Sequence, residues 1–382
     1  MTSKYSSASR TRFVRVSILL AGLGVLCVGI ALMVFRNTDQ SVLELGKGSW
    51  SRSRVLGNGS LIVCVPDDST TSCEMYVRIA GAGYESLGVV DDSISAASLS
   101  PDRSKMAIAL RRSNVIELRD LPTGESRVRL APPPSERVGE IVDICFSNDS
   151  KMLCAVANRS RDVYLWSLPG KSYEVLTDIW GRPDSEDPVG RWGSTWVKFA
   201  GQSPQEIITG AGDELIRYWQ LNEGRYEPVG YVRTSDGPPY YATLDEQQTT
   251  LYVTCNWCIY EIGMPRMVPK VIEFARDPHS GTLSVQRLGF GDIRRGASNP
   301  RIHLEMVHLL HGGRTLVVYV HGEGIVALSL DSLHFIYMCK DRDLDNDEIR
   351  RPIGTDGSDN IMILESFGSE KSSIVRHKVV PP

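Results

Sequence analysis

The feature that most constrains this chain is a recurring unit of short apolar strands separated by turns rich in Asp, Ser and Gly. Ala96–Leu110 holds two strands around Ser100-Pro101-Asp102-Arg103-Ser104 and leads into a third at Val115–Leu121. Ile144–Val156 repeats the arrangement around Asn148-Asp149-Ser150 and leads into Val163–Leu168. Val197–Ala200 and Glu206–Gly210 lead into Ile216–Leu221. Third strands begin near Met75, Val115, Val163, Ile216, Ile259, Ile325 and Ile374, which is seven units at a period of about 50 residues. From about residue 50 onward no 3.6-residue helical periodicity interrupts them. A unit of this kind cannot bury both of its apolar faces alone, so the array must stack on itself. The expectation is an all-β body over residues 49–382, organised as one domain by repetition rather than as two folds.

The fourth unit carries the most informative motif. Gly210-Ala211-Gly212-Asp213-Glu214-Leu215-Ile216-Arg217-Tyr218-Trp219-Gln220 sets small residues and an Asp before an alternating strand that ends in Trp. Trp166 and Asp120 stand where other units would end in a Trp-Asp pair. This resembles the WD-repeat β-propeller family, although no Gly-His dipeptide opens a unit and no complete Trp-Asp pair is present. The resemblance implies a seven-bladed β-propeller, with Asp213, Trp166 and Trp219 in structural roles at the turn and strand. It also implies service as a protein-binding platform. After Ile374–Val380 few residues follow to supply a fourth strand. Val42-Leu43-Glu44-Leu45 is the expected outer strand of the last blade, closing the ring.

Charge divides the chain in two. The whole carries a formal −4, but residues 1–36 hold Lys4, Arg10, Arg12, Arg15 and Arg36 with no acids, so the remainder carries −9. An acidic body argues against nucleic acid as a partner, because phosphate neutralisation needs a basic stripe. Val16–Phe35 is an uncharged run of 20 residues. As a helix it spans about 30 Å, the thickness of the bilayer hydrocarbon. The expectation is one transmembrane α-helix over 16–36, a cytoplasmic basic tail over 1–15 and a tether over 37–48. Four basic residues precede the run, so the positive-inside rule puts the N-terminus in the cytoplasm and the body outside it. The run is longer than a cleavable signal core and ends in Leu32-Met33-Val34-Phe35-Arg36, without a small-x-small site.

No Ser/His/Asp elbow, P-loop or dinucleotide fingerprint appears, and no cofactor or catalytic residue is assigned. Cys64 and Cys73 flank a polar turn, as do Cys145 and Cys154. Each pair is either a cross-strand disulfide or two packed thiols. Cys255-Asn256-Trp257-Cys258 reads as a hairpin turn between Leu251–Thr254 and Ile259–Ile262. Asp341, Asp343 and Asp345 alternate in an acidic loop that offers oxygens to calcium, but the Gly and Glu an EF-hand needs are replaced by Asn346 and Pro352. A solvated acidic turn is the simpler reading, and no metal is assigned.

Propellers bind through loops on a rigid frame, so the longest gaps mark the partner surface. The gap at 178–195 carries Trp180, Arg182, Arg191 and Trp192. The gap at 265–302 carries Arg276, Arg294 and Arg295. Trp and Arg are the residue types that anchor protein interfaces. The functional expectation is therefore a membrane-anchored scaffold or receptor that binds protein partners on the extracytoplasmic side. The alternative is a metal-assisted hydrolase in the propeller's central channel.

Overall fold

A computed structural model describes residues 40–45, 54–56, 61–64, 73–78, 84–90, 92–121, 123, 125–132, 139–168, 172–177, 193–201, 206–234, 238–245, 247–261, 264–277, 283–290, 304–310, 315–320, 324–330, 335–339, 348–355, 360–367 and 371–378. Strand β1 is Gln40–Leu45. A first sheet holds β2 (Arg54–Leu56), β3 (Leu61–Cys64), β4 (Cys73–Arg78) and β5 (Tyr84–Val90). A second holds β6 (Ile94–Leu99), β7 (Lys105–Leu110), β8 (Val115–Asp120) and β9 (Ser126–Leu130). The third holds β10 (Ile141–Phe146), β11 (Met152–Ala157), β12 (Val163–Ser167) and β13 (Ser172–Leu176). The fourth holds β14 (Ser194–Ala200), β15 (Glu206–Ala211), β16 (Leu215–Asn222) and β17 (Arg225–Arg233). The fifth holds β18 (Pro239–Leu244), β19 (Thr250–Glu261), β20 (Met264–Arg276) and β21 (Leu283–Phe290). The sixth holds β22 (Leu304–Leu310), β23 (Thr315–Val320), β24 (Gly324–Ser329) and β25 (Phe335–Cys339). The seventh holds β26 (Glu348–Thr355), β27 (Asn360–Phe367), β28 (Lys371–Lys378) and, beside β28, β1.

The fold is thus all-β and propeller-like, and among the described residues none is helical. Neighbouring sheets meet through their first strands: β10 lies between β6 and β14, β18 between β14 and β22, and β2 lies against both β6 and β26. Burial explains the sequence pattern. The middle strands are covered on both faces, so β7, β11 and β15 are nearly continuous apolar runs. Outer strands such as β13 are exposed over most of their length. Each interface takes alternate residues from the two sheets that form it. Leu153, Ala155, Tyr164 and Trp166 pack toward the second sheet, while Cys154, Val156, Val163 and Leu165 pack toward the fourth. A fully buried Leu, Ile or Val side chain here is worth about 1.5–3 kcal/mol of transfer free energy.

In the second and third sheets the turns joining first to second strands share one design. Ser100 Oγ donates to Asp102 Oδ1 at 2.6 Å, and Ser147 Oγ donates to Asp149 Oδ1 at 2.6 Å. Each serine hydroxyl also receives the next strand's first N–H, from Lys105 and Met152, at 2.9 Å. These hydrogen bonds hold both carboxyls ionised: the Ser100 hydroxyl foremost draws Asp102 down to about 2. Asp149 is likewise lowered: burial opposes its charge, but the Ser147 hydroxyl, the Lys151 N–H and the Lys151 charge together outweigh it. Arg103 and Ser150 occupy the left-handed region, at φ 58° and 60°.

Two sequence expectations are corrected. Residues 255–258 form no turn: β19 runs unbroken through them, and its pairing with β20 continues to Glu261 opposite Met264. The third strand of the fifth sheet is therefore β20, not a strand starting at Ile259. The supposed loop at 265–302 shrinks accordingly, and Arg276 ends a strand. The expected transmembrane helix at 16–36 lies outside the described residues. Among those described, no helix is long and apolar enough to cross a membrane.

The strand β1 pairs antiparallel with β28, setting Leu43 opposite Ile374 and Leu45 opposite Ser372. Leu45 and Ile374 are buried there. Deleting residues 37–48 is expected to lower the melting temperature by several degrees, and an unchanged value would count against a closing role. Arg103→Gly, which relieves the left-handed backbone, is expected to raise stability by up to about 1 kcal/mol in denaturant titration.

Candidate partner-binding face

Antiparallel order fixes which connections share a face. In each sheet the first-to-second and third-to-fourth turns lie at one end. The second-to-third turn and the passage to the next sheet lie at the other. Hydrogen bonds between sheets confirm the pairing of ends. Ser194 N–H, at the start of β14, donates to Ser160 O in the β11–β12 turn at 2.9 Å. At the opposite end, Asn148 Nδ2 donates to Gly201 O at 2.6 Å. β13 therefore ends, and β14 begins, at the second-to-third-turn end; Trp180, Arg182, Arg191 and Trp192 fall between them in sequence. β21 ends and β22 begins at the same end, with Arg294 and Arg295 between them in sequence. Those six residues themselves lie outside the described ones, as do Asp341, Asp343 and Asp345. The N-terminal end of β1 lies at the opposite end of its sheet, beside Arg376 near the end of β28.

The floor of this face is ionic. Asp213 sits in the β15–β16 turn, where its Oδ1 accepts Leu215 N–H at 3.2 Å and Arg217 Nη1 at 3.0 Å. Its Oδ2 accepts Arg217 Nη2 and faces Arg161 of the preceding sheet's turn at 3.5 Å. The Arg217 side chain is 0% exposed. The carboxylate fixed beside it stabilises a guanidinium in that position. Asp213 thus ties its own turn to strand β16 and to the neighbouring sheet. The small residues before it have a steric cause, since a Cβ on Gly210 would overlap the indole of Trp196. Trp196 Nε1 in turn donates to Pro239 O of the fifth sheet at 3.1 Å.

Deeper, the first strands are joined by Asp143. Its Oδ2 accepts Val197 N–H at 2.9 Å and Lys198 Nζ at 3.3 Å. Burial disfavours the lysine's charge, but Asp143, together with Cys145 and Cys154 nearby, outweighs it and the Lys198 pKa is raised. On the far face Arg276 Nε donates to Glu206 Oε2 at 2.6 Å, joining the fifth sheet to the fourth. Arg276 therefore belongs to the frame and not to a binding loop.

Trp166 and Trp219 are both core residues, about 2% and 1% exposed. Cys145 and Cys154 stand directly opposite each other as free thiols. At the other pair, the register opposes Cys64 to Glu74 and Cys73 to Val90. Their side chains lie outside the described ones. Tyr173 on β13 and Tyr231 on β17 are more than half exposed on the outer strands of adjacent sheets. The sequence singled out neither, because outer strands break the alternation that marks the inner ones. Among the described residues no group of three or more His, Cys, Asp or Glu side chains converges to hold a metal.

No protein-family model matches the chain, and no curated protein matches it. Solved structures do. The β-propeller domain of Myceliophteria thermophila Cps50 (Swd1) superposes with a TM-score of 0.65 over 90% of this chain and 100% of that one, at 11% identity. That likeness is one of fold.

The Asp213–Arg217 pair yields an asymmetric prediction. Asp213→Ala leaves a buried cation without its carboxylate and is expected to cost about 3–5 kcal/mol in denaturant unfolding. Arg217→Met removes the charge and keeps the volume, and is expected to cost clearly less.

Proposed function

We propose that the protein is a single-pass, N-in membrane protein whose seven sheets form the blades of a closed propeller on the extracytoplasmic side. There it acts as a scaffold or receptor for protein partners. The observation that carries this reading is the opposition of two ends. The chain enters β1 at one end of its sheet, within the segment 37–48 that follows the expected membrane helix. The Trp- and Arg-bearing connections at 178–192 and 291–303 leave at the other end. A partner surface so arranged points away from the bilayer. The ionic floor built by Asp213, Arg217 and Arg161 supports the reading too, because it holds the bases of these connections on a rigid frame. The fold likeness to a β-propeller domain adds an analogy and no more.

Orientation is tested by labelling intact cells with a membrane-impermeant amine reagent. Lys151, exposed on a turn, is expected to label, and Lys4 only after permeabilisation. A protected Lys151 would overturn the placement. The partner surface is tested by crosslinking the full-length protein in its membrane. Trp180→Ala with Trp192→Ala is expected to lose the crosslinked species at an unchanged melting temperature, and retention of the species would remove these residues from the surface.

A further inference from the structure

Cys145 on β10 and Cys154 on β11 are direct cross-strand partners, and both are free thiols. Two residues further along the ladder, Ser147 N–H donates to Met152 O at 3.0 Å. The alternation of an antiparallel ladder then makes Cys145–Cys154 a hydrogen-bonded pair, with Cα atoms about 5.5 Å apart. That separation lies inside the range a disulfide spans. Directly opposed residues project to the same side of a sheet. Here that side is the interface with the fourth sheet, where Cys154 is fully buried among Val156, Val163, Leu165 and Phe199. Cys145 lies at its margin and is partly exposed.

The surroundings treat the two sulfurs differently. Cys154 Sγ donates to Cys145 O at 3.5 Å, within its own pair of strands. Asp143, two residues before Cys145 and on the same side, holds Lys198 Nζ of the next sheet at 3.3 Å. The hydrogen bond from Cys154, helped by Lys198, brings the Cys145 thiol down from 9.0 to about 7. Burial foremost pushes Cys154 well up. The partly exposed cysteine thus carries the more acidic thiol, and its directly opposed partner is fully buried.

We propose that Cys145 and Cys154 form a thiol–disulfide exchange site whose substrate is a small disulfide from solution. The Cys145 thiolate attacks one sulfur of that disulfide. The disulfide's S–S bond breaks as the new one forms, and the first small thiolate leaves with a proton from solvent. Cys154 then gives up its proton and attacks the Cys145 sulfur, expelling the second small thiol. Two protein thiols are oxidised to one cross-strand disulfide, and the small disulfide is reduced to two thiols. The inference requires neither the membrane placement nor the partner surface.

The test uses the full-length protein in detergent, first reduced and freed of reductant, then incubated at pH 7 with oxidised glutathione. After alkylation, trypsin separates Val138–Lys151 from Met152–Arg159. The expected product is these two peptides joined by a disulfide. Cys154→Ser is expected to stop at a glutathione adduct on Cys145. Cys145→Ser is expected to form an adduct on Cys154 at least about tenfold more slowly. Circular dichroism checks that each variant is folded. If a variant is not, the joined peptides of the unaltered protein decide alone. Recovery of both cysteines in alkylated form from that protein would overturn the proposal, and so would equal rates of adduct formation in the two folded variants.

Discussion

Everything in this fold rests on the fact that its central strands are apolar on both faces. A sheet whose middle strands read Met-Leu-Cys-Ala-Val-Ala or Glu-Ile-Ile-Thr-Gly-Ala cannot present either face to water. Each sheet therefore needs a neighbour on each side. A linear stack would leave two terminal sheets with one bare apolar face apiece, which is why open arrays need polar caps. A ring removes the terminal sheets. The pairing of Gln40–Leu45 with Lys371–Lys378 fits that solution: one sheet is hydrogen-bonded together from the two ends of the described chain. The inter-sheet ion pairs are secondary. Asp143–Lys198, Asp213–Arg161 and Glu206–Arg276 join neighbours that apolar burial has already brought together.

Much of this was legible, and for a physical reason. A strand covered on both faces must be apolar throughout, and its turns must be polar, so second and third strands stand out from their surroundings. The third strands expected near Met75, Val115, Val163, Ile216, Ile325 and Ile374 begin within three residues of those positions, at Cys73, Val115, Val163, Leu215, Gly324 and Lys371. The fifth unit misled because Cys-Asn-Trp-Cys sits between two apolar runs and Asn is a turn former. The ladder in fact continues to Glu261 opposite Met264, and of the two residues between them in sequence only Gly263 is a turn former. An error of one strand moved the following gap, and with it the assignment of Arg276.

The site was less legible than the frame. Arg217 alternates in a strand like any surface residue, and nothing in its spacing says that it is buried. Its burial follows from Asp213 four residues earlier, which reaches it only because the chain turns between them. The symmetric placement of Cys145 and Cys154 about their turn was readable, since a short hairpin fixes register. The same symmetry did not carry over to Cys64, whose register partner is Glu74. Which connections share a face was also hidden. It depends on the parity of strands in every preceding sheet, and outer strands such as β13 and β17 are too exposed to be recognised by periodicity.

Closure has a kinetic consequence that follows from chain topology. Six sheets consist of strands contiguous in sequence and can form from local hairpins. The seventh joins strand β1 to strand β28 across more than 300 intervening residues. Loop-closure entropy rises only logarithmically with length, so this separation costs about 5 kcal/mol for a flexible chain by the three-halves-power law. A chain whose intervening sheets have already assembled is no longer flexible, and it presents both ends near the same gap. Local assembly thus lowers the entropic cost of the last pairing before that pairing is made. Until then the inner faces beside the gap stay uncovered and β28 keeps an unpaired edge, which is the state most exposed to pairing with another chain. The short strand Gln40–Leu45 therefore governs more than stability: it sets how long that edge remains open.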